Sequence, residues 1–172
     1  GDGTFEAKAD FATPSEPTGV AVADLDGDGK LDLATSDSDG HASVLLGNGN
    51  ATFRAQVPYA AAGAATAIAI GDVTGDGKPD LVVTGTGAPA LAVLPGNGDG
   101  TFAAALPYVP GASPMAVAIA DLSGDGEPDV VVANSASNAA SILLGGSGGL
   151  RWYDVHCRQR HPRWRLFPER SG

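Results

Sequence analysis

Apolar and polar positions alternate along most of this chain in short bursts, each broken by glycine, asparagine or aspartate. Bulky side chains stand at Val20 and Val22, again at Ile68 and Ile70, and again at Val117 and Ile119. Small residues separate them: Ala21 and Ala23, Ala69 and Gly71, Ala118 and Ala120. A period of two puts the bulky residues on one face of a strand and leaves the other face nearly bare. A bare face suits a place where neighbouring sheets approach closely. Next come Leu33-Ala34, Leu81-Val82-Val83 and Val130-Val131-Val132, continuous apolar runs that predict strands buried on both faces. After a polar turn, Val44-Leu45-Leu46, Leu91-Ala92-Val93-Leu94 and Ile142-Leu143-Leu144 predict a third strand, closed by Gly47, Gly96 and Gly145. A glycine-rich turn then leads to a fourth segment with two aromatics, Phe53 and Tyr59, then Phe102 and Tyr108, with Phe5 and Phe11 as an earlier copy. Their even spacing predicts both rings on one face of one strand, packed in the core.

The pattern therefore predicts an all-β chain of about three four-stranded antiparallel sheets, with units at about 14–62, 63–110 and 111–150. Residues 1–13 form an outer strand without a sheet of its own. The third unit is expected to end at 150 with its aromatic strand missing. Because the chain opens in the middle of a unit, at Gly1-Asp2-Gly3-Thr4-Phe5, it reads as a piece of a longer one.

Between the first and second strand of each unit lies an acidic loop. The first is Asp24-Leu25-Asp26-Gly27-Asp28-Gly29-Lys30-Leu31-Asp32. Its counterparts begin 48 and then 49 residues later, at Asp72 and Asp121. Alternate residues of a tight loop can turn side-chain oxygens toward one point, and glycine at position 6 permits the bend. The position-7 carbonyl can join them. Hard oxygen donors of this number suit calcium better than magnesium. A helix-flanked calcium loop needs an acid at position 12, where Thr35, Val83 and Val132 stand, and its flanks are helices rather than alternating strands. A merely solvated Asp-Gly turn is the competing reading, and three copies in register weigh against it.

Charge sharpens this picture. The formal charge is −10. Residues 1–150 carry 4 basic and 18 acidic side chains, a balance of −14, and residues 151–172 carry 6 basic and 2 acidic, a balance of +4. Ten of the body's acids are loop aspartates. Such a body repels phosphates, so nucleic acid is not an expected partner. Neither is membrane insertion, since no stretch is long and apolar enough to span a bilayer. Cys157 is the single cysteine, which excludes an internal disulfide. The tail 151–172 is foreign in composition. It reads as a disordered end, with a basic arm that docks on an acidic surface and a shifted coding frame as alternatives.

Gly96-Asn97-Gly98-Asp99-Gly100-Thr101-Phe102, Pro114-Met115-Ala116-Val117-Ala118-Ile119-Ala120-Asp121 and Gly124-Asp125-Gly126-Glu127-Pro128-Asp129 together resemble the FG-GAP or VCBS-type repeat of integrin-like β-propellers. The resemblance covers about residues 1–150. It implies four-stranded propeller blades with calcium held in each loop. The ligands it implies are Asp24, Asp26, Asp28, Asp32 and the carbonyl of Lys30; Asp72, Thr74, Asp76, Asp80 and the carbonyl of Lys78; and Asp121, Ser123, Asp125, Asp129 and the carbonyl of Glu127. Thr74 and Ser123 replace a carboxylate by a hydroxyl, so those two sites are expected to be weaker. Closed propellers have ~4–8 blades, so three form a partial propeller, which implies a homo-oligomer or further blades of a longer chain.

The expected function is a calcium-binding, non-enzymatic recognition or adhesion scaffold, extracellular or at the cell surface, whose partner is a protein or glycan. A glycan-binding module and the accessory propeller of a larger polysaccharide-acting enzyme are the alternatives. The body lacks tryptophan, which lowers the first. Its one histidine, His41, and the absence of a Ser/His/Asp or Cys/His set lower the second.

Overall fold

The computed structural model describes residues 7–13, 15–146 and 151–153, the last as backbone alone. Among them twelve strands form three four-stranded antiparallel sheets. The first holds β1 (Pro17–Ala23), β2 (Asp32–Asp37), β3 (His41–Leu45) and β4 (Val57–Ala60). The second holds β5 (Ala65–Gly71), β6 (Asp80–Gly85), β7 (Leu91–Leu94) and β8 (Leu106–Tyr108). The third holds β9 (Pro114–Ala120), β10 (Asp129–Asn134), β11 (Ala139–Leu144) and β12 (Arg151–Tyr153). Each sheet is a plain meander whose strands pair in chain order, as in a propeller blade, and the three do not close into a ring.

The continuous apolar runs become the middle strands. Leu81, Val82 and Val83 on β6 are fully buried, as are Val130 and Val132 on β10. The first strands of successive sheets lie against one another, β1 on β5 and β5 on β9. Here the bare faces have their use. Ile68 and Ile70 join a core with Ala21 and Ala23 of the preceding sheet. Ile119 lies so close to Gly71 that a Cβ there would stand 3.0 Å from its Cγ2. A hydroxyl reinforces each junction: Thr18 donates to the Ala65 carbonyl at 2.9 Å and Thr66 to the Pro114 carbonyl at 2.8 Å.

Three features depart from the sequence pattern. The third sheet has a fourth strand, because β12 pairs with β11 just beyond the expected end of the unit at 150. Main-chain pairing does not require the Thr-Phe sequence of the other two units. Residues 7–13 form no strand, and 1–6 lie outside the described residues, as does the tail from 154 to 172.

The aromatic segment, finally, is not one continuous strand. An isolated bridge joins Gly47 to Phe53, and regular pairing resumes only at Val44 with Val57. Between these points, residues 54–56 on the outer segment oppose residue 45 at the end of β3 and residue 46 just past it. The same offset separates the Gly96–Phe102 bridge from the Val93–Leu106 pair. One extra residue inverts the facing of all that follows, so the two aromatics of a unit point to opposite sides. Tyr59 accordingly meets Phe102 of the next sheet edge-on at 5.4 Å, and Phe11 meets Phe53 at 4.9 Å. The Tyr59–Phe102 pair thus joins two sheets instead of lining one.

Candidate metal centre

Each acidic loop leaves its first strand, turns at two left-handed glycines and enters its second strand at the last aspartate. In the first loop Gly27 and Gly29 have φ of 75° and 80°, with open space where a Cβ would stand. Conformation rather than crowding calls for glycine there.

The carboxylates hold the turn by accepting from its own backbone. Asp24 takes N–H bonds from Gly27 and Gly29, one on each oxygen, both at 2.8 Å. Asp26 accepts from the Asp28 N–H at 3.2 Å, and Asp28 from the Lys30 N–H at 2.9 Å. The Lys30 ammonium sits 2.6 Å from the other Asp28 oxygen, and that hydrogen bond holds the Asp28 carboxyl below its ordinary value. Arg54 reaches to 4.0 Å from Asp26. Carboxylate oxygens of Asp24, Asp26 and Asp28 lie within 4.8 Å of one another.

The ninth residue behaves differently. Asp32 is fully buried and points away from solvent into the blade. One of its oxygens accepts the Leu25 N–H and the other the Gly47 N–H, both at 2.7 Å. Asp80 does the same with Val73, Thr74 and Gly96, and Asp129 with Leu122, Ser123 and Gly145. This aspartate clamps the start of the loop to the end of the third strand. Burial raises the Asp80 pKa, partly offset by the N–H bonds it accepts. The clamp also explains the closing glycines. A Cβ on Gly47 would overlap the carbonyl oxygen of Leu31, one on Gly96 that of Pro79, and one on Gly145 that of Pro128.

The second and third loops repeat the turn with fewer aspartates. Asp72 takes both turn N–H bonds at 2.8 Å, and Asp121 takes its pair at 2.6 and 3.0 Å, which lowers the Asp121 pKa. Thr74 and Ser123 stand where Asp26 stands in the first loop. Asp76 has Lys78 at 3.4 Å, whereas Asp125 accepts the N–H of Glu127, an acid in the place of the lysine. Among the described residues, only the first loop brings three acids together.

The donor set Asp24, Asp26 and Asp28 fits calcium in kind. All the donors are hard oxygens, and carboxylate oxygens that accept one N–H keep a lone pair for a cation. A buried acid outside the loops escaped the sequence reading. Asp37 is fully enclosed and accepts the hydroxyls of Thr35 at 3.0 Å and Ser43 at 2.6 Å. Its signal was the polar Thr35-Ser36-Asp37 run that follows Leu33-Ala34 in the same strand. A groove of 490 Å³ between the first two blades is lined by Tyr59, Pro89, Phe102, Pro107 and alanines. Its lining is mostly apolar, and burial raises the pKa of the Tyr59 phenol.

Fold and loops together define a repeat protein of propeller-type blades with one acidic turn per blade. The FG-GAP-like repeat model matches residues 1–35, 25–83 and 72–132, and the chain belongs to that family. Comparison with curated proteins gave no match. FG-GAP-like repeats suggest a propeller-like recognition or adhesion module, are typically non-enzymatic and occur in extracellular proteins. No helix among the described residues is long and apolar enough to cross a membrane.

Proposed function

We propose that this chain is a calcium-stabilised segment of an extracellular or cell-surface β-propeller, serving as a rigid scaffold for recognition of a protein or glycan rather than as an enzyme. The observation that carries the calcium reading is the meeting of Asp24, Asp26 and Asp28 oxygens within 4.8 Å on a loop held rigid by its own backbone bonds. Calcium bound there would offset the repulsion of the three carboxylates. The chain's own residues do the rest. Gly27 and Gly29 set the turn, Asp24 ties it, and Asp32 anchors its far end in the blade. The carbonyls of Lys30, Lys78 and Glu127 complete the proposed donor sets. Asp72 with Thr74 and Asp76, and Asp121 with Ser123 and Asp125, make weaker sites, because affinity follows ligand charge. Metal binding then adds to folding free energy.

Thermal unfolding in calcium and in chelator tests this. The midpoint is expected to rise in calcium, and Asp26→Asn is expected to remove more of that rise than Thr74→Val. An unchanged midpoint in a folded protein would refute the calcium reading.

A further inference from the structure

Among the described residues, the first and last blades each leave one face uncovered, and those faces are the two halves of a junction the chain already builds twice. Within the chain, Leu25 is 1% exposed and Val73 5%, because the following blade covers each. Their counterpart in the last blade, Leu122, is 54% exposed. On the opposite side, Ile68 is 8% exposed against the preceding blade, whereas its counterpart Val20 is 64% exposed and Val22 53%. The outer part of that front face is covered by the chain's own residues, since Phe11 lies on Phe53 as Tyr59 lies on Phe102. What stays bare is the inner half, bulky in front and, at Ala118 and Ala120, small behind.

We propose that the front of the first blade docks on the back of the third blade of a second copy, with Val22 seated against Ala120. The volumes match. Ile119 over Gly71 is the corresponding internal pair, and Val22 is one methylene smaller than isoleucine while Ala120 is one methyl larger than glycine. Two such contacts join two arcs head to tail. The resulting six blades fall within the ~4–8 of closed propellers, and closure leaves no open interface to propagate. One element of the internal junction is not reproduced. Where Thr18 and Thr66 donate to the next blade, the third blade has Met115. The junction between copies rests on apolar burial alone, and the dimer dissociates on dilution.

Sedimentation equilibrium of the full chain over a range of concentrations tests this, with Val22→Arg and Ala120→Arg as variants and circular dichroism as the control for folding. Both positions are on uncovered surface, and Val20→Arg replaces Val22→Arg should the latter fail to fold. The wild type is expected to reach twice the chain mass and each variant to stay monomeric. An equimolar mixture of the two variants is expected to recover dimer through the one unaltered junction. A wild type that is monomeric throughout would overturn the proposal and assign both faces to further blades of a longer chain. A dimer that survives both substitutions, or folded variants that fail to complement, would overturn the head-to-tail arrangement.

Discussion

Replacing Asp32 by alanine separates a clamp from a metal ligand. The wild-type carboxylate accepts two backbone N–H groups, from Leu25 and Gly47, both in buried residues. Deleting it strands both donors away from water. An unsatisfied buried donor costs roughly 1–3 kcal/mol, so the two together cost about 2–6 kcal/mol. Removing a fully buried carboxylate also relieves its own desolvation, which leaves a net loss on the order of 2–4 kcal/mol. Against a total stability of ~5–15 kcal/mol this is a large effect. Asp32→Asn keeps one acceptor but turns an amide donor toward the other N–H, and is expected to cost roughly 1–3 kcal/mol. The assay is urea unfolding followed by circular dichroism, in chelator, with the slope m checked for constancy. Chelator is essential to the logic. A clamp matters without metal, whereas a ligand matters only with it. A loss that appears in calcium and vanishes in chelator would refute the clamp assignment and return Asp32 to the ligand set.

Three further outcomes are expected. Gly96→Ala drives a Cβ into the Pro79 carbonyl oxygen and should cost about 1–3 kcal/mol, while Gly146→Ala, which meets nothing within 4 Å, should change stability by less than ~0.5 kcal/mol. The same urea titration compares them. Thr66→Val removes the bond to the Pro114 carbonyl and the hydroxyl contact with Thr84, and is expected to cost about 0.5–1.5 kcal/mol, with faster amide exchange along β9. The Thr101 hydroxyl and N–H hold the Asp99 carboxyl below its ordinary value. Stability from that group is therefore present above pH 3.8 and lost as pH falls through the lowered folded value. Asp99→Asn should flatten that acid limb in unfolding measurements, since Asn50 makes the same turn with Thr52.

The sequence by itself determined the local structure. Alternation of bulky and small residues, apolar runs and turn glycines specify the first three strands of a unit, because strand facing and turn conformation are settled within a few residues. The spacing of the acids places Asp24, Asp26 and Asp28 on one tight turn for the same reason. Tertiary structure alone decided where the ninth aspartate points. Asp32 faces the Gly47 N–H, 15 residues away, and only the folded sheet brings a buried donor to that point. The reversal of Tyr59 relative to Phe53 likewise depends on one extra residue in the pairing with β3, a register that side-chain spacing does not encode. The different fates of equivalent residues, Leu25 covered and Leu122 bare, follow from which blade has a neighbour. Burial is a property of the packed assembly of repeats, and identical motifs in one chain therefore come to serve different ends.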